Sequence, residues 1–300
     1  MSTTLGVVEP TSTRPDKPRA TRQRPASVAG ASVFMLAFLI YFLVPIWWLF
    51  VASSKRPSLL TSTNGLWFSG PFSLFSNLKD VLTYDNGILV RWLVNSLAYA
   101  GLGAIFGTLL ASMAGYALAK YTFPGREATF NFILAGVLVP ATALALPLFL
   151  LFSKVNGTDT FWSVFLPSIV SPFGVYLSRI YAASSVPNEL LEAARLDGAG
   201  EVRTFFVVAA RLMTPALVTI LLFQFVAIWN NFFLPLVMLQ NSRLYPVTLG
   251  LYTWNSTVNQ AAELQFFVIV GALISIVPLI LAFVSLQRFW QSGLAAGGVK

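Results

Sequence analysis

Between Pro187 and Pro215 the chain carries seven charged side chains: the acids Glu189, Glu192, Asp197 and Glu201, and the arginines Arg195, Arg203 and Arg211. Only 11 acids occur in all 300 residues, so this short stretch concentrates more than a third of them and balances them with cations. Carboxylates and guanidiniums at such density can pair, hydrogen-bond and fix the register of a docked surface. They cannot supply a base that titrates near neutrality. The chain has no histidine for that, and no cysteine to serve as a thiolate or soft metal ligand. It also contains no Gly-Lys-Ser or Gly-Lys-Thr, so it has no phosphate-cradling loop of its own. The chemistry on offer is recognition.

The local grammar of the stretch is helical. Pro187 suits a first turn, and Asn188 and Glu189 beside it favour the positive end of a helix dipole. Glu192 and Arg195 are spaced to pair at i, i+3. Gly198 is expected to end the helix, because glycine takes the left-handed exit freely. Leu190, Ala193 and Ala194 fall on one face, where two alanines would let a partner come close. An ordinary solvated loop helix has the same pattern, and at this point both readings stand.

The elements that hold this stretch must be membrane helices. Apolar residues make up 56% of the chain and charged residues 10%, against about 25% charged in soluble domains. Six runs contain no Asp, Glu, Lys or Arg: 28–52, 92–119, 128–153, 160–178, 212–242 and 264–287. A spanning helix needs about 20 apolar residues. An all-α, six-span membrane protein with both termini on one side is therefore expected, with the charged loop (183–214) and the tails on that same side. That side holds 13 of the 19 lysines and arginines, which makes it the cytoplasmic one. The net charge of +8 is read as this topology signal rather than as a nucleic-acid footprint. Residues 1–27, rich in Thr, Ser, Pro and Arg, are expected to form a disordered basic cytoplasmic tail ahead of a membrane domain over 28–300.

Three features of the spans have two readings each. Gly103, Gly107, Ala111 and Gly115 form a small-residue ridge at steps of four, for packing within the subunit or against another. Gln224, Asn230 and Asn231 in the fifth run, followed by Pro235 in what reads as the same helix, are either pathway residues for a polar solute or interhelical glue. Tyr245, Tyr252 and Trp254 could stack on sugar rings, but they are also the default residues of a membrane interface.

The charged stretch resembles the EAA loop of ABC importer permeases. The match runs through Glu192-Ala193-Ala194-Arg195-Leu196-Asp197-Gly198-Ala199, then Phe205 and Pro215, with Val186-Pro187-Asn188-Glu189-Leu190 as the lead-in. Leu166-Pro167, Phe173-Gly174-Val175-Tyr176-Leu177, Trp229-Asn230-Asn231-Phe232 and the tail from Gln287 to Lys300 are similar to the carbohydrate-uptake branch, of the six-span maltose type. One departure is Arg211, where the family usually has proline; the helix is expected to run on past it.

The resemblance implies a type I importer permease fold. It implies that Glu189, Glu192, Ala193, Ala194, Arg195, Asp197, Gly198 and Ala199 dock on a cytoplasmic ATPase as a coupling helix. The implied partners are a second homologous permease, two copies of the ATPase, an extracellular or periplasmic solute-binding protein, and membrane lipids, with no nucleic acid. The implied site is the inner membrane of a prokaryote. This chain would bind no cofactor, because ATP and Mg would sit on the ATPase. The expected solute is a sugar or oligosaccharide, with a glycerol phosphate ester as the alternative. A stand-alone secondary transporter is disfavoured, because the six runs hold no ionisable residue to couple ions. A membrane enzyme is disfavoured for want of a catalytic constellation.

Overall fold

A computed structural model describes residues 25–257 and 263–297, and every regular element among them is helical. Residues 1–24 of the expected tail lie outside the described residues. The chain divides into two compact units, 1–46 and 47–300. The described part of the first unit is the opening of α1 (Pro25–Ser54), an apolar helix with Pro45 inside it. It begins at Pro25, so the expected boundary after residue 27 falls inside a helix.

In the second unit, α1 ends in a connection tied down by polar groups. Lys55 is 1% exposed, and its ammonium donates to Thr63 Oγ1 at 3.1 Å and to the Asn64 carbonyl. A buried ammonium needs such partners. Asn77, on α2 (Leu74–Thr83), donates to the carbonyls of Ser53 and Lys55, both at 2.8 Å. Helices α3 (Ile88–Leu97) and α4 (Gly103–Lys120) are joined through a π-turn at 98–102, and together they are long and apolar enough to span a membrane.

Helices α5 (Arg126–Ala135) and α6 (Ala141–Lys154) are together apolar enough to cross a membrane but are bent by 104°. The bend falls at Val139 and Pro140, where the extended backbone ahead of proline is the expected breaker. Helix α7 (Phe161–Ser168) is capped by Thr160, whose hydroxyl accepts from the Ser163 N–H. Helix α8 (Pro172–Ser185) is capped by Ser171, with Pro172 opening its first turn. Both starts follow the usual N-cap chemistry.

The short α9 (Asn188–Leu196) follows, then α10 (Glu201–Thr204), a π-turn at 205–209, and α11 (Ala210–Leu212). The chain then bends by 86° into α12 (Thr214–Trp229). Helices α13 (Phe233–Met238), α14 (Val247–Ser256) and α15 (Glu263–Gly297) complete it. Among the described residues four helices, or six if each bent pair is one span, are long and apolar enough to cross a membrane. The fifth expected run is corrected here. It is not one helix, because α12 stops at Trp229 and Pro235 lies in the separate α13. Arg211 lets the helix run on to Leu212, so the bend falls at Met213.

The small-residue ridge is used inside the subunit. A Cβ on Gly115 would lie 2.4 Å from Ser178 Cβ and 2.7 Å from the Arg179 nitrogen, so α4 and α8 touch backbone to backbone there. The main core gathers Trp92, Tyr99, Phe165, Trp229, Trp254 and Phe266. A second cluster, of Tyr116, Ala182, Val186, Leu191, Phe205, Ala209 and Met213, sits under α9.

Candidate functional site

Helix α9 is short because its ends are fixed on both sides. Pro187 holds extended backbone at φ −64°, ψ 139°, and Asn188 then starts the helix. At the other end Gly198 takes φ +77°. The Asp197, Gly198 and Ala199 N–H groups donate to the carbonyls of Ala193, Arg195 and Ala194, at 2.9–3.0 Å. This left-handed exit satisfies the last carbonyls of the helix and turns the chain back.

A nine-residue helix in water is marginal without tertiary support. Leu191 supplies part of that support. It is 3% exposed and packs among Phe205, Ala209 and Tyr116. The rest comes from the end of α4. Lys120 Nζ donates to the Val186 carbonyl at 2.6 Å and to Asn188 Oδ1 at 3.1 Å, holding the start of α9. The Tyr121 hydroxyl donates to Glu201 Oε2. Glu201 also accepts from Arg195, from Nε at 2.9 Å and from Nη2 at 3.4 Å, which holds the far end.

Burial first, and then the hydrogen bond to Glu201, push the Tyr121 phenol well above the ordinary tyrosine value, so it is a donor throughout the physiological range. The Arg195–Glu201 pair is solvent-exposed, and exposed pairs contribute little stability. Its contribution is geometric. The expected Glu192–Arg195 pair is corrected, because Arg195 turns to Glu201 across the Gly198 bend.

With its underside anchored, α9 turns the rest outward. Glu189, Glu192, Ala193 and Asp197 are exposed, and Ala194 is half-buried. Leu190 is 46% exposed, Leu196 89% and Val202 66%. Charged groups around bare leucine and valine are the composition of a docking face. Leu190 and Ala193 share this face as expected. Leu196, Val202, Glu201, Lys120 and Tyr121 were not singled out from sequence. Leu196 and Val202 could have been found as apolar residues inside the charged stretch, whereas Lys120 and Tyr121 reach α9 only through the fold.

The three amides do not share one face. Gln224, on α12, donates from Nε2 to the Ser168 carbonyl at 2.6 Å, at the break between α7 and α8. Asn230 is exposed, and its side chain bonds back to the Val226 carbonyl. Asn231 lies beyond the helix end, where its carbonyl accepts from Thr248. Among the described residues no cluster of acids could hold a metal ion. Of the outer aromatics, Trp254 is buried in the main core, Tyr245 donates to the Gln240 carbonyl, and Tyr252 packs on Phe232 with centroids 4.6 Å apart.

Residues 93–294 match the family model described as "Binding-protein-dependent transport system inner membrane component". The arabinooligosaccharides transport system permease protein AraQ of Halalkalibacterium halodurans is 35% identical over 252 residues, covering 83% of this chain and 88% of that protein. AraQ of Bacillus subtilis (strain 168) is 35% identical over 274 residues, covering 91% and 95%. Among solved structures, a chain of a bacterial ABC transporter involved in the import of the acidic polysaccharide alginate superposes with TM-score 0.77. It is 23% identical, with 92% of this chain and 100% of that chain covered, which speaks for the fold alone.

Proposed function

Because the chain belongs to the family of binding-protein-dependent transport system inner membrane components, we propose that it moves a sugar or oligosaccharide through the inner membrane of a prokaryote as one of two permease subunits of an ATP-driven importer. It is a multi-pass membrane protein and not an enzyme. The similarity to two arabinooligosaccharide permeases supports a saccharide as the solute. In this reading the partners are a second permease, two copies of a cytoplasmic ATPase that hold ATP and Mg, and a solute-binding protein on the outer side. The excess of lysine and arginine at the α9 end supports a cytoplasmic position for α9 and both termini.

The observation that carries the reading is the anchoring of α9. A helix that passes force must not give way under it. Leu191 and Glu201 tie its underside to the bundle, while Leu190, Glu192, Ala193 and Leu196 are left for the ATPase. Glu189, Arg195, Asp197, Gly198 and Ala199 shape and orient that surface. Movement of the ATPase subunits would then reach α4 and α8 directly, because the two helices are in backbone contact at Gly115. Of the three amides, Asn230 is the candidate for solute contact. Gln224 serves the α7–α8 break, and Asn231 the turn after α12.

The test is reconstitution of the complex with Glu192→Ala. Insertion and assembly with the second permease should be normal, while ATPase association and uptake are lost. Uptake at the wild-type rate would remove α9 from the coupling role.

A further inference from the structure

An open cleft of about 730 Å³ lies where the start of α3 meets the turn at 241–245. The apolar helical segment Ile88–Lys120 carries this cleft at its start and holds α9 at its end, so cleft and α9 lie at opposite ends of it. Arg91 and Arg243 both line it, together with Asn86, Asn95 and Asn241, and no carboxylate does. Both arginines are exposed, and neither makes an ion pair among the described residues.

The cleft is held rigid. Trp92 Nε1 donates to the Ser242 carbonyl at 2.8 Å, and Asn95 Nδ2 to those of Arg243 and Tyr245 at 2.8 and 3.0 Å. The Tyr99 hydroxyl donates to the Leu244 carbonyl at 3.2 Å. One continuous helical segment thus grips four successive carbonyls of the turn and fixes Arg243 on the element that carries Arg91. Of the acids near the cleft, Asp85 does not line it and Asp159 is already engaged. Its Oδ1 accepts from the Gln240 and Asn241 N–H groups at 2.8 and 2.9 Å.

We propose that this cleft is a carboxylate-recognition site in which Arg91 and Arg243 receive an aspartate or glutamate side chain of the solute-binding protein. The proposal rests on the importer reading above. Cations are the minority on the outer face of a membrane protein, so two arginines carried there by one rigid element, with no acid among the groups lining their cleft, call for an acidic complement. A guanidinium presents a planar fork that matches a carboxylate. Charge pairs at the edge of an interface act mainly on the rate of encounter and on its salt dependence.

The test uses the full complex in nanodiscs. The probe is a saccharide-binding protein of the source organism, chosen because it stimulates ATP hydrolysis by the wild-type complex. In the R91E/R243E double variant, basal hydrolysis and the saturated rate should be unchanged. The half-saturating concentration of binding protein should rise by about tenfold or more, with a flatter salt dependence. An Asp- or Glu-to-Arg change in the binding protein should restore binding to the double variant only. If the glutamates block assembly, R91Q/R243Q is read by the same criterion. Unchanged half-saturation overturns the proposal. So does a shift that disappears in nanodiscs of purely zwitterionic lipid, which would assign the arginines to anionic headgroups. If no saccharide-binding protein stimulates the wild-type complex, it is the importer reading that fails.

Discussion

Lys120 and Tyr121 are neighbours in sequence, yet they hold opposite ends of α9. The lysine reaches Val186 and Asn188 ahead of the helix, and the tyrosine reaches Glu201 beyond it. One turn at the end of α4 therefore fixes both the position and the tilt of the helix proposed to meet the ATPase. This follows from α4 ending at Lys120 and Tyr121 continuing in extended backbone, which sends adjacent side chains in different directions.

Tyr121→Phe keeps the ring and removes the donor to Glu201. Membrane insertion and ATPase association should be close to wild type. The solute transported per ATP hydrolysed should fall by roughly three- to tenfold, the scale of one charge-assisted hydrogen bond. Parallel uptake and hydrolysis measurements in proteoliposomes decide it, and an unchanged ratio would make the Tyr121–Glu201 bond dispensable for coupling.

The same phenol gives a pH prediction. Its folded pKa is raised above the unfolded value of about 10. A raised pKa stabilises the protonated form. The contribution is complete below the unfolded value and is lost as pH rises through the folded one. Alkaline titration of phenolate absorbance should show several phenols that ionise later than ordinary tyrosines, and Tyr121→Phe should lose one from this late group. If the variant's curve differs from wild type by an ordinary phenol, the donor is not held as described.

Gly198 sits at φ +77° with open space where a Cβ would go. Gly198→Ala should therefore suffer backbone strain and not a clash, at a cost of about 1–2 kcal/mol. Gly198→Asn should recover most of it, because asparagine tolerates this region. Thermal unfolding of the two variants, with ATPase pull-down as the functional readout, checks the order. Equal stability of the two would point to a cause other than the left-handed exit.

Gln224→Leu leaves the Ser168 carbonyl at the α7–α8 break without its side-chain donor. The cost should be on the order of 1–2 kcal/mol, the scale of interhelical bonds in membranes. We expect a lower thermal midpoint and an unchanged half-saturating solute concentration. The reverse pattern would return Gln224 to the solute pathway.

What the sequence revealed was local. Gly198 marks the end of α9 because the helix exit needs a residue at positive φ, and that requirement sits within one turn of chain. Charge-free runs pointed to long apolar helical segments, because apolar length can be read from composition, although the fifth run proved broken. The partner of Arg195 was not legible. Spacing offered Glu192 alone, and only the reversal at Gly198 and the tyrosine behind Glu201 bring Glu201, six residues on, to Arg195. The end of α12 at Trp229 was also hidden. No Gly or Pro stands there, and Asn230 and Asn231 continue the helical spacing on paper while the chain turns away. The ridge at Gly103–Gly115 was readable as a close approach, but its partners, α12 at Gly103 and Gly107 and α8 at Gly115, are set by the fold.

The 104° elbow between α5 and α6 and the 86° elbow between α11 and α12 have a mechanical consequence. A straight rod can slide along its own length like a piston, but a bent one cannot without swinging its other arm sideways. If these segments move during the import cycle, the stroke arriving from α9 must be spent as rotation, with Pro140 and Met213 marking where the axes change direction.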